Sequence, residues 1–220
     1  PVRRHGLFRH LLCVLLLCAS ARISAESAAI LCYHRFAPGA VDSMTLRTAV
    51  FEQQITRLRA EGYQFLPLPV VLEGLYQGVA LPDKAIAITV DDDHRSVYTE
   101  LRPIIVRENL PVTLFIYPSA ISNASYAMTW DQLAEMQKIP GVDIQSQTYW
   151  HPNFRTEKKR LSPEAYAAFV KKQLELPRTI LYSKLGVNAT LLSWPFGIRD
   201  TTPDQAAASA TAPSAAHSGH

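Results

Sequence analysis

Largely apolar runs at residues 28–33, 85–90 and 112–117 read as buried strands, and residues 142–146 and 190–194 read as further short strands. Between them the apolar positions change period. Val50, Phe51, Ile55 and Leu58 recur at helical spacing within residues 48–61, and Gly62 supplies a stop. Similar patterns predict helices over 70–76, 98–109, 129–138 and 162–176. Pro103 must sit early in the helix over 98–109 or kink it. Thr129 is placed to cap the next helix, and Ser162 and Pro163 open the last. Strands that alternate with helices and are apolar throughout predict an α/β fold: a parallel sheet or barrel covered by helices. In such folds the chemistry sits at the C-terminal ends of the strands. The polar clusters fall there: His34 after the first run, Asp91 to Asp93 after the second, and Gln147 to His151 after the fourth.

Composition narrows the class. The chain has 220 residues, 48% of them apolar, which suits one domain with a sizeable core. A formal net charge of +3 is too small to imply a nucleic-acid partner. Several of those charges, Arg3, Arg4 and Arg9, precede an apolar run at 11–19 that ends in the small residues around Ala25. That layout predicts a secretory signal over residues 1–25, cut after Ala25, and hence an exported protein of the periplasm or exterior. The alternative is a buried helix opening the domain. The run is too short for a membrane anchor, so no transmembrane span is expected beyond the signal. Cys18 sits where a lipidated cysteine would, but the large Leu17 before it is a poor match, so lipid anchoring is not expected. Cys13 and Cys18 leave with the signal, which leaves Cys32 alone, with no internal disulfide and a predicted place in the core. After Asp200 the texture changes to Ala, Ser, Thr, Pro and His without periodicity, so 201–220 is expected to be a disordered, frameshift-like tail behind a domain at 26–200.

Two clusters carry candidate chemistry. Adjacent carboxylates at Asp91, Asp92 and Asp93 each raise the cost of ionising the others, and a bound cation removes that cost. Neighbours leaving a strand point in different directions, so one of Asp91 and Asp92 could bind metal while the other takes a proton. A solvated acidic turn, or a cap for the following helix, explains the same residues. In the second cluster Gln147 and His151 are spaced to share one side of a helical turn. With one carboxylate they would make a three-ligand site with an open position, the arrangement of catalytic zinc. A surface histidine beside aromatic residues is the plainer reading of His151 alone.

Taken in order, these stretches resemble the NodB-homology polysaccharide deacetylases, carbohydrate esterase family four. The family's Thr-Phe-Asp-Asp-Gly is matched by Thr89-Val90-Asp91-Asp92-Asp93, and its His-Ser/Thr-x-x-His-Pro by Gln147-Thr148-Tyr149-Trp150-His151-Pro152. Its Arg-x-Pro-Tyr/Phe-Gly is matched by Ser193-Trp194-Pro195-Phe196-Gly197, and Tyr33-His34 resembles the end of its first strand. The resemblance covers roughly residues 28 to 200. It implies a distorted (β/α)7 barrel, incomplete here at its C-terminal end, that removes N-acetyl groups from an amino-sugar polysaccharide. By the same resemblance Asp91 is the general base, Asp92 and His151 ligate a divalent metal, most often zinc, and Gln147 stands at the third ligand position. His34, Trp194, Pro195 and Phe196 are the expected substrate-binding residues, with Trp194 equally explicable as core packing.

Three departures bear on that expectation. Gln147 replaces an imidazole with a neutral, weaker donor, Asp93 replaces a glycine, and Ser193 and Trp194 stand where an arginine would brace the base. The family also carries a late Leu-x-His whose histidine is the general acid, and nothing after Gly197 matches it. The expectation is therefore a deacetylase impaired in this chain, with a non-catalytic glycan-binding relative as the alternative.

Overall fold

The computed structural model describes residues 28–39 and 42–198; the predicted signal segment with Cys13 and Cys18, and the tail, lie outside them. Strand β1 (Ala29–Tyr33) leads through two short strands, β2 (Arg35–Ala37) and β3 (Thr45–Arg47), into α1 (Thr48–Ala60). Then follow β4 (Gln64–Phe65), α2 (Leu68–Gln77), β5 (Ala85–Val90), and a wide turn at Val97–Leu101 that runs into α3 (Arg102–Glu108). The chain continues as β6 (Val112–Ile116), α4 (Trp130–Gln137), β7 (Val142–Ser146), α5 (Phe154–Arg160) and α6 (Pro163–Leu185). The main sheet is parallel throughout, in the order β1-β5-β6-β7, with β4 beside the start of β5. Every residue of β5 and β6 is buried, as expected for central parallel strands with both faces covered. Phe51 and Ile55 of α1, Ile104 and Ile105 of α3, and Leu133 and Met136 of α4 close one core over them.

The predicted strands and helices are present, with corrections at the ends. Pro103 lies in the first turn of α3, where its missing N–H costs nothing, and the preceding residues form the wide turn instead of a single helix over 98–109. Thr129 caps α4 in a reciprocal capping box with Gln132. The last helix does not stop at 176. It continues through Pro177 to Leu185, because Tyr166, Val170 and Leu174 before the proline and Leu181 after it all bury the same face. That packing outweighs the roughly 3 kcal/mol an interior proline costs. The strand predicted over 190–194 is reduced to one bridge, Leu192 to Ser146, parallel to β7. The reason is a side chain: Gln145 Oε1 accepts from the backbone N–H groups of both Thr190 and Leu191, at 2.9 and 2.8 Å, and takes the place of ladder bonds.

Cys32 is a further correction. It was expected in the core, but it is exposed. Among the described residues β1 is paired only to β5, so it forms an edge of the sheet. Ile30 and Cys32 share the face that the helices leave open, and Ile30 is 45% exposed. No helix among the described residues is long and apolar enough to cross a membrane.

Candidate active site

The site begins with the ladder between β1 and β5. Tyr33 pairs with Val90, and the Asp91 N–H then donates to the Tyr33 carbonyl at 2.9 Å, carrying the extended chain one residue further. His34 and Asp91 therefore leave the two strands side by side. The backbone then turns sharply at Asp92 and Asp93, with φ of 75° and 54°. Left-handed backbone disfavours most residues, but aspartate is among the more tolerant, so the loop keeps a glycine-like shape without glycine. Asp93 gains a second role from its side chain. Its carboxyl is fully buried and accepts from the Tyr117 N–H at 3.0 and 3.2 Å, which ties the loop to the end of β6. Burial holds that carboxyl well above the usual carboxylate range.

Asp91 is 8% exposed, and burial pushes its carboxyl up to about 6, with the Ser193 hydroxyl and His34 pulling it back and Asp92 adding to the rise. One carboxylate oxygen, Oδ2, accepts from Ser193 Oγ at 2.8 Å and from Gln147 Nε2 at 3.1 Å. The other, Oδ1, is buried and has no hydrogen-bond partner among the described residues. Ser193 thus does for the carboxylate what the absent arginine was expected to do, with a hydroxyl in place of a guanidinium.

Gln147 and His151 do not share a helical turn. β7 stays extended through Ser146, and the chain then loops with left-handed backbone at Thr148 and His151, φ 70° and 59°. The Gln147 side chain bridges the two aspartates: its Nε2 donates to Asp91, and its Oε1 accepts from the Asp92 backbone N–H at 3.0 Å. These partners fix the orientation of the amide, since the N–H needs an acceptor and the carboxylate a donor. The Gln147 oxygen is therefore engaged by the loop it faces. His151 Nε2 lies 3.3 Å from Asp92 Oδ1, with both side chains less than one-fifth exposed. Burial pulls the His151 imidazole down, and Asp92 opposes that shift.

Gln173 had no signal as a site residue in the sequence. It lies on the buried face of α6, and its Oε1 accepts from the N–H groups of Tyr149 and Trp150, both at 3.2 Å. It thereby anchors the loop that presents His151. A buried glutamine in an otherwise apolar helical stripe was the only available clue.

These groups open onto one cleft of about 380 Å³. Cys32, His34 and Met44 from the β1 side of the chain, Asp91 and Asp92, Gln147 and His151, and Ser193, Trp194 and Phe196 line it. Trp194 combines both roles weighed for it: it lines the cleft and packs edge-on against Phe154, with ring centroids 5.1 Å apart. Phe196 is 65% exposed and stands 4.7 Å from the His151 ring. Pro195 is buried beneath them and is not part of the lining.

A parallel α/β sheet with paired aspartates at one strand end and a histidine loop at another is the layout of the polysaccharide deacetylases. The chain belongs to that family: the family's sequence profile, described as polysaccharide deacetylase, matches residues 78–214. The fold agrees. The structure of IcaB from Ammonifex degensii superposes with a TM-score of 0.75 at 22% identity, covering 85% of this chain and 82% of that one. The Streptococcus pyogenes deacetylase PplD in complex with acetate gives 0.73 at 22% identity, covering 84% and 80%. Among characterised sequences, poly-beta-1,6-N-acetyl-D-glucosamine N-deacetylase of Escherichia coli (strain K12) is 26% identical over 188 residues, 70% of this chain and 28% of that protein. The protein of the same name from Staphylococcus aureus (strain MRSA252) is 22% identical over 162 residues, 72% of this chain and 56% of that one. The chain thus spans less than two thirds of the length of either relative.

Proposed function

We propose that the chain is an exported, metal-dependent N-deacetylase of an amino-sugar polysaccharide, with β-1,6-linked N-acetylglucosamine polymers the first substrates to test. The observation that carries this reading is the division of labour between the two aspartates. Asp91 is buried, raised toward neutral and held by two donors, as a proton-accepting carboxylate requires. Asp92 faces the His151 imidazole across 3.3 Å, and together they offer two donors to one point in the cleft. The relatives named for poly-beta-1,6-N-acetyl-D-glucosamine support the choice of substrate.

The donor set fits a divalent cation. Asp92 and His151 would hold it, and Gln147 stands in the third position with its oxygen shared with the Asp92 N–H. Such an ion, zinc in the first instance, supplies Lewis-acid polarisation of the acetamide carbonyl and a more acidic water. Asp91 then takes the proton of the attacking water, and the bonds from Ser193 and Gln147 keep its carboxylate aimed while it does so. His34 is the other imidazole among the lining residues, its ring nitrogen within 4.8 Å of the Asp91 carboxylate, and in this reading it gives a proton to the departing amine. Trp194 and Phe196 present aromatic faces and edges at the cleft mouth, where a sugar ring can lie.

One observation favours a second reading, a glycan-binding relative without turnover: the Gln147 oxygen already accepts from the Asp92 N–H, which leaves Asp92 and His151 as the uncommitted members of the three-residue set. The test is acetate release from a β-1,6-linked N-acetylglucosamine oligomer by the zinc-supplemented chain, alongside Asp91→Asn. Release by the unsubstituted chain and not by the variant supports the enzyme. Binding of the oligomer with no acetate from either supports the second reading.

A further inference from the structure

Cys32 has no part in the chemistry above, yet it stands in the same cleft. Its Sγ, a ring nitrogen of His34 and a carboxylate oxygen of Asp91 all lie within 4.8 Å of one another. The ladder sets this spacing: Cys32 pairs with Thr89, and His34 and Asp91 leave the adjacent strands just beyond. A lone exposed thiol would mean little. Here it stands beside a carboxylate that is only 8% exposed and whose Oδ1 has no hydrogen-bond partner among the described residues. A buried anionic oxygen without a donor is costly, and a cation or a donor arriving from the cleft relieves that cost.

We propose that Cys32, His34 and Asp91 form a second cation site, selective for a soft, thiophilic divalent ion, that closes the active site when it is filled. Sulfur, imidazole nitrogen and one carboxylate oxygen suit zinc or cadmium and not magnesium or calcium. Asp92 and His151 offer no sulfur, so the two sites differ in what they prefer. Binding replaces the thiol proton with a sulfur–metal bond and releases that proton to solvent. The same event occupies Asp91 and His34, the groups assigned above to move protons, so this consequence rests on the deacetylase reading. The binding itself does not.

Cadmium is the probe, because its bond to a thiolate gives an ultraviolet charge-transfer band. The full chain is used with Cys13→Ser and Cys18→Ser, so that the band reports Cys32 alone. Losing even an indirect partner of a metal site costs on the order of 10–100-fold in affinity. His34→Gln and Asp91→Asn should therefore each move the cadmium midpoint at least about tenfold higher, while Cys32→Ser removes the band. Midpoints within about twofold of the parent in both variants would overturn the proposal and leave a solitary thiol. Cadmium–nitrogen coupling in histidine-labelled parent protein guards against a misfolded variant: coupling to a ring nitrogen, assigned by its loss in His34→Gln, is expected, and its absence contradicts the site. Cadmium should also suppress acetate release in the parent and not in Cys32→Ser. A normal band and coupling with no acetate from either protein would count against the deacetylase reading and leave the cation site standing.

Discussion

At the scale of single residues, Ser193, just after the Leu192 bridge, shows how one side chain can replace another of different chemistry. The sequence marks Ser193 as a loss, since an arginine was expected there. In the structure its hydroxyl reaches Asp91 Oδ2 at 2.8 Å. Ser193→Ala should push the Asp91 carboxyl above about 6, since a donor to the charged form is lost. An infrared titration of the carboxyl stretch reads this directly; an unchanged titration would mean the bond is idle. The raised value also has a sign for stability. The folded carboxyl titrates near 6 and the reference carboxyl at 3.8, so the folded chain holds a proton that the unfolded chain gives up in between. Stability of the metal-free protein is therefore highest below pH 4 from this group and falls as pH rises through 6, by on the order of 2–3 kcal/mol. Asp93 acts in the same sense, so Asp91→Asn should flatten the slope without abolishing it. Gln147 carries the third residue-scale prediction. A histidine there cannot make both of the glutamine's bonds, but it offers the stronger donor, so Gln147→His should tighten zinc at least about tenfold by calorimetry. Unchanged affinity would remove position 147 from the metal site.

At the scale of elements, β5 and β6 were legible because they are short apolar runs bounded by turns, a pattern with little ambiguity when helices separate them. His34, the Asp91–Asp92 pair and His151 were legible because strand ends in parallel sheets collect polar residues. What the sequence could not show depends on side chains that replace backbone. Gln145 caps the 190–191 segment and shortens a strand, and Gln173 holds the 149–150 segment from inside α6. Neither has a local signature, because each acts on chain more than 20 residues away in sequence. The loop of Gln147 and His151 was misread for a related reason: residue spacing cannot distinguish one helical turn from a loop with two left-handed residues. Gln173→Leu should leave the part-buried Tyr149 and Trp150 N–H groups without their acceptor, at up to about 1–3 kcal/mol each where water does not replace it. Thermal unfolding should therefore fall by several degrees, and zinc should protect the variant less than the parent, because His151 is no longer held. Equal zinc protection would show that α6 does not position the loop.

At the scale of the molecule, the described residues bring each sequence-predicted polar cluster to one cleft, from the ends of β1, β5 and β7 and from the 193–197 segment, which are distant along the chain. Cys32, Met44 and Ser193 join them there, while Pro195, expected to bind substrate, is buried and outside the lining. The most direct measurement of the central claim is acetate released per free amine formed on a β-1,6-linked N-acetylglucosamine oligomer, with zinc present, for the chain and for Asp91→Asn. Removing a positioned proton-transfer group typically costs 10²–10⁴-fold. The account predicts equal amounts of acetate and amine from the unsubstituted chain, and a rate lower by about that factor in the variant. Acetate release that Asp91→Asn leaves unchanged, or none from the unsubstituted chain, would contradict it.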